Sequence, residues 1–170
     1  YFLSSVAWAV PVIEEGELDS YILIDRTSGH VLLEKGKDDS VSIEGATNIL
    51  TSVIAVEKGD LEKRVTIGEN PVKVMGTKVY LQEKEKILLS DLVKASLVYS
   101  ANDTALAIAE HISGEDLKFV EELNAKAVEI GCENTVFTNS YGLKDSKHVT
   151  TANDLALIAR YAMNNEKIAE

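Results

Sequence analysis

The feature that most constrains this chain is the stretch Ser90–Gly114, SDLVKASLVYSANDTALAIAEHISG. Two dense apolar helical patterns meet there at a short polar break, Tyr99–Asp103. Leu92, Ala95, Ser96 and Val98 run up to the break, and Ala105, Leu106, Ala109 and Ile112 run away from it. Patterns this dense predict two buried helices. A polar knot held between buried helices presents a few side chains at a fixed place, as a binding site requires. The same residues have a local reading: Ser100 as N-cap of the second helix, with Asp103 completing a capping-box-like pair. The local sequence supports both.

The rest of the chain supplies a core for these helices. Apolar residues make up 45% and charged residues 26% of 170, an ordinary globular composition for one domain or a domain and a fragment. The net charge of −11 argues against nucleic acid and anionic membranes as partners. The single cysteine, Cys132, allows no internal disulfide and reads as a small, partly buried residue beside Gly131. Residues 1–13, YFLSSVAWAVPVI, are too few to span a bilayer. They resemble the end of a secretory leader with a small-x-small pattern at Ala7-Trp8-Ala9, which predicts an extracytoplasmic protein. The acidic stretch Glu14–Ser20 reads as a linker, so the expected organisation is 1–20 leader remnant and linker, then one domain over 21–170.

Tyr21–Asp25 and His30–Glu34 alternate as strands around Arg26-Thr27-Ser28-Gly29 and predict a β-hairpin. Ile43–Glu57 is nearly apolar all round towards its end, with Ile49, Leu50, Val53, Ile54 and Val56, and predicts a central buried helix stopping at Gly59. Val65–Ile67 reads as a short strand, 68–76 as loop, and 78–87 as irregular. A helix then runs from a capped start at 113–116 to Gly131 with Leu117, Val120, Leu123, Ala127 and Ile130 inward. Thr135–Thr138 is extended and 139–143 a turn. A last helix, capped by Thr150 or Thr151, faces inward with Leu155, Ile158, Ala159 and Ala162. The three histidines are isolated and read as solvated. No metal or cofactor site is predicted.

The order of these pieces resembles the penicillin-binding D-alanyl-D-alanine carboxypeptidases. The blocks ILIDRTSGHVLLEK, ILTSVIAVEKGDLEKRVTIGE, LLSDLVKASLVYSANDTALAIAEHISG, NTVFTNSYGL and HVTTANDLALIARYAM carry the likeness. The resemblance implies an α+β class, the mainly helical portion of the serine β-lactamase/penicillin-binding-protein fold with an N-terminal hairpin and without the C-terminal sheet strands. It also implies a peptidoglycan peptide as ligand. The family works through a Ser-x-x-Lys pair on one helix face, a Ser-x-Asn and a Lys-Thr/Ser-Gly.

Only the second motif is present here, as Ser100-Ala101-Asn102. The resemblance places the nucleophile position on Gly45 and the lysine position on Asn48. Glycine has nothing to acylate, and a carboxamide takes up no proton near neutral pH. Nearby hydroxyls at Ser42, Thr47, Thr51 and Ser52 read as cap, loop or helix-surface residues, and Lys-Thr/Ser-Gly is absent. The expectation is a chain without acylation chemistry that binds a peptidoglycan peptide or a protein partner at the envelope. The alternatives are a variant or fragment of an active carboxypeptidase, and an interaction module in which Ser100 is only a cap. A hairpin lacking the C-terminal strands has an open edge, so a second chain or self-association completing the sheet at Tyr21–Lys35 is also expected.

Overall fold

The computed structural model describes residues 18–170. The leader-like segment and most of the linker lie outside the described residues. Strands β1 (Tyr21–Ile24) and β2 (Val31–Lys35) form the expected antiparallel hairpin, with Leu23 opposite Leu33 and a register shift before Ile24. Two further short antiparallel pairs follow: β3 (Val41–Ser42) with β6 (Val149–Thr150), and β4 (Arg64–Thr66) with β5 (Lys86–Leu88). Among the described residues no sheet exceeds two strands.

Helices make the body: α1 (Thr47–Lys58), the short α2 (Glu69–Lys73), α3 (Leu89–Tyr99), α4 (Asn102–Ser113), α5 (Asp116–Ile130), α6 (Ala152–Met163) and a terminal turn α7 (Glu166–Ala169). The class is α+β, as expected. Helix α1 is the central buried helix its composition predicts. Leu50, Val53, Ile54 and Ala55 are all at or below 1% exposure, and α3, α4, α5 and α6 all pack on it.

Several faces differ from the sequence reading. The buried face of α3 is Leu89, Leu92, Val93 and Ser96, a spacing of three, one and three that keeps to one side of the helix. Val98 lies on the opposite side and is exposed. In α5 the inward row is Phe119, Leu123 and Ala127, each four apart, which turns Leu117 to solvent. Helix α2 occupies part of the expected loop, with Pro71 inside it, and α7 had no strong periodic signal. Gly114 ends α4 rather than opening α5, and the Ser113 hydroxyl donates to Glu122.

Other local expectations match. Thr151 caps α6, accepting from Asp154 N at 3.1 Å. Cys132 is buried, and burial pushes its thiol up to about 11. The hairpin is held to α6 through its turn: the Arg160 guanidinium donates to the carbonyls of Arg26 (2.8 Å) and Thr27 (3.0 Å). Beside that clamp, an apolar groove of about 330 Å³ opens between β1 and α6, lined by Ile22, Leu23, Ile24, Ala156, Ala159 and Met163.

Candidate functional site

The polar break between α3 and α4 is built differently from a simple cap. Ser100 ends α3 in the left-handed region, at φ 49°, and the N-cap of α4 is Ala101. Ser100 therefore sits one residue too early to cap. Its side chain is exposed and, among the described residues, makes no hydrogen bond. The N-cap expectation for Ser100 is corrected accordingly.

Asp103 does not close a capping box either. One carboxyl oxygen accepts from Val79 N (3.2 Å) and Thr104 N (3.0 Å), and the other from Leu81 N (3.1 Å). Asn102 holds the same neighbouring segment. Its backbone N donates to Thr77 O at 2.7 Å and its Nδ2 donates to Met75 O at 2.7 Å. Residues 102–103 thus pin the segment 75–81 beside Ser100. Tyr80, held between the two anchored amides, is itself left-handed at φ 63° and exposed.

The opposite wall comes from the start of α1. Glu44, Gly45 and Ala46 form a 3-10 turn leading into the helix, with Glu44 at φ 39°. A side chain added at Gly45 would place its Cβ 3.6 Å from Ser100 Cβ and 3.7 Å from Ser100 Oγ, ordinary contact distances. The tertiary structure thus brings the two sequence-derived positions Gly45 and Ser100 together across a space open to a side chain. Asn48 is 1% exposed, and neither its Oδ1 nor its Nδ2 has a partner among the described residues. Leaving a buried amide unpaired costs about 1–3 kcal/mol.

The third wall is the segment 139–144. Gly142, at φ 79°, sits directly on the Glu44 carbonyl. An ideal Cβ there would overlap the Glu44 oxygen and lie 2.6 Å from its carbon. The Asn139 side chain closes this turn, accepting from Leu143 N (2.9 Å) and donating to Leu143 O (2.9 Å). The three walls enclose a cleft of about 340 Å³ that includes Gly45, Thr77, Ser100, Asn102 and Lys144. Gly76 and Gly142 line it with positive φ without strain, while Glu44 and Ser100, both non-glycine residues, take up the same region. Strain of this kind persists where surrounding contacts over-determine the backbone, and it gathers at binding sites.

Behind the cleft, the hydroxyls of α1 are internal rather than surface groups. Thr51 Oγ1 donates to Ser140 O at 2.7 Å, and Thr47, Thr51 and Ser52 are fully buried. His148 is buried too, which corrects the solvated reading. Its Nδ1 accepts from Thr138 N at 3.0 Å, so the ring proton is on Nε2, which donates to Thr47 Oγ1 at 2.7 Å. Burial holds this imidazole below its ordinary value, in keeping with a neutral ring. Asp103, Gly142 and His148 each support the cleft, and none has a local signal that marks this role.

Comparison with known proteins adds identity to this geometry. A family model described as D-alanyl-D-alanine carboxypeptidase matches residues 9–170. The D-alanyl-D-alanine carboxypeptidase DacF of Bacillus subtilis (strain 168) is 31% identical over an alignment of 159 residues that covers 91% of this chain and 41% of that protein. Among solved structures, the D-alanyl-D-alanine carboxypeptidase DacD from Francisella tularensis superposes with a TM-score of 0.86 at 30% identity, covering 96% of this chain and 41% of its own. Penicillin binding protein 5 from Haemophilus influenzae gives 0.81 at 31%, covering 86% and 45%. The chain therefore spans less than half the length of these relatives.

Proposed function

The chain belongs to the D-alanyl-D-alanine carboxypeptidase family, and on that premise we propose that it is a non-acylating member that binds peptidoglycan stem peptides at the cell envelope. The observation that carries the reading is Gly45. It faces Ser100 across the cleft, has room for a side chain and has none. A serine there would be the family's nucleophile, and Asn48 stands where the family's lysine would take the proton. What remains in the cleft is binding chemistry. Ser100 Oγ and Asn102 Oδ1 have no partners among the described residues and can hydrogen-bond a peptide backbone. The leader-like N-terminus supports an extracytoplasmic site of action.

Intact mass after incubation with a penicillin tests this reading, alongside an NMR titration with an N-acetylated peptide ending in D-Ala-D-Ala. The mass is expected to stay unchanged while the Ser100 and Asn102 amides shift with peptide. A covalent adduct would overturn the non-acylating part, and absent shifts would overturn the binding part.

The apolar β1–α6 groove and the edges of the β1–β2 hairpin, unpaired among the described residues, support a second element of this reading. A strand from a second polypeptide completes the sheet there, since a two-stranded hairpin is marginal alone. The isolated chain should then show fast amide exchange over Tyr21–Lys35. A monomer with a protected hairpin would count against the second polypeptide.

A further inference from the structure

We propose that His148 is a positioning residue that ties two walls of the cleft together while its ring is neutral, and that a proton on the ring loosens them and weakens ligand binding in acid. The tie between the walls is independent of any ligand. Its effect on a stem peptide rests on the reading of the cleft as a peptide site.

One buried ring touches both walls. His148 is 0% exposed. Its Nδ1 accepts from Thr138 N at 3.0 Å, and Thr138 leads into the 139–144 wall. Its Nε2 donates to Thr47 Oγ1 at 2.7 Å, and Thr47 opens α1 two positions after Gly45. The backbone on either side is held as well: His148 N donates to Asp145 O (3.0 Å), and Ile43 N donates to His148 O (3.4 Å). Phe137 stands edge-on beside the ring.

A proton acts on one of these bonds. Nε2 donates to Thr47 in both forms of the ring, whereas Nδ1 turns from acceptor to donor. The Thr138 N–H then faces another N–H. The Thr138 hydroxyl, 3.3 Å from Nδ1, can accept from the charged ring, but the Thr138 amide still loses its acceptor. The wall that carries Gly142 is released from the ring, while the α1 side stays tied.

The groups around the ring set the direction. Asp145 favours the proton, and burial outweighs it, so the ring stays neutral until the pH falls below the ordinary histidine range. Lys147 beside it, Lys144 on the wall and Glu44 on the α1 side are all exposed, and Asp154 on α6 is turned to Asn134 and Thr135. The unfolded chain takes up this proton more readily than the folded one, so stability is lost as pH falls through that range. Asp116 is a second titratable group on the same wall. It accepts from Ser140 N at 3.2 Å, and burial pushes its carboxyl up.

The test follows the whole chain by NMR from neutral pH down to the onset of acid unfolding. It reads the His148 ring nitrogens, the amides of Thr138 and Gly142, and the affinity for an N-acetylated peptide ending in D-Ala-D-Ala. The two amides are expected to change with the midpoint of the ring. About one pH unit below it, where roughly one ring in eleven is still neutral, the peptide should bind about tenfold more weakly. His148→Asn puts an acceptor that does not titrate where Nδ1 stands, so amides and affinity should no longer follow that midpoint, and any dependence left belongs to Asp116. His148→Gln reaches Thr47 instead and should leave Thr138 exchanging fast already at neutral pH. Wall amides that ignore the ring's midpoint, or a ring still neutral where the chain unfolds, would overturn the role of His148 on the parent chain alone. The full pH dependence surviving in His148→Asn would overturn it too. Amides that titrate with the ring while no peptide binds at any pH would remove the peptide site and leave the tie between the walls standing.

Discussion

Alanine at Gly142 is expected to cost about 3 kcal/mol of stability and to displace the backbone at Glu44–Gly45. Two effects add. At φ 79° a side chain costs roughly 1 kcal/mol for the left-handed conformation alone. The new Cβ would also overlap the Glu44 carbonyl oxygen and stand 3.1 Å from Gly45 N. Both neighbours are backbone, so relief requires the 44–45 turn to move, and overpacking of this kind typically adds about 1–3 kcal/mol. Gly114 provides the control. It has φ 83° and nothing within 4 Å of an ideal Cβ, so Gly114→Ala should lose only the conformational part, about 1 kcal/mol. Urea unfolding of the two variants makes the comparison. Equal losses would show that the seat of Gly142 on Glu44 contributes nothing, and the cleft would then lack its third wall.

Removing the Asp103 carboxyl is expected to cost a similar amount, about 3 kcal/mol, and to free the segment 75–81. Three backbone N–H groups depend on Asp103, those of Val79, Leu81 and Thr104. Asp103 and Leu81 are buried, so water replaces the lost acceptor poorly there, and each orphaned buried donor costs about 1–3 kcal/mol. Asp103→Ala should raise amide exchange at Val79 and Leu81 well before global unfolding. It should also weaken peptide binding, because the released segment carries Gly76 and Thr77 of the cleft. Asp103→Asn keeps one acceptor oxygen and should lose less. A residue that merely capped a helix would cost about 1 kcal/mol and leave Val79 and Leu81 protected. That result would return Asp103 to the capping role its spacing suggests.

The two expectations mark where sequence reading stops. The hairpin, the buried character of α1, the helix pair around the break and the cap at Thr151 were all legible, because each follows from residues a few positions apart. Helix faces were legible only in part. Val98 and Leu117 are apolar and were expected on the inward faces, yet both point away from the buried rows, which centre on Leu92 and Leu123. The polar residues were the least legible. Ser100 and Asp103 sit at capping-box spacing. A left-handed Ser100 shifts the helix start to Ala101, and Asp103 turns to a segment more than twenty positions earlier.

By itself, the sequence determined the class of the fold and the family. Apolar periodicity forces burial of particular faces, and the order of the blocks carries the likeness. Only the tertiary structure decided what the cleft is made of. Gly45 meets Ser100, Gly142 seats on Glu44, and His148 reaches Thr47 across 101 residues. Such contacts depend on how helices and turns pack after they form. A glycine's missing side chain or a histidine's buried ring has no local pattern to announce it, since the neighbour that gives it meaning is brought in by the fold.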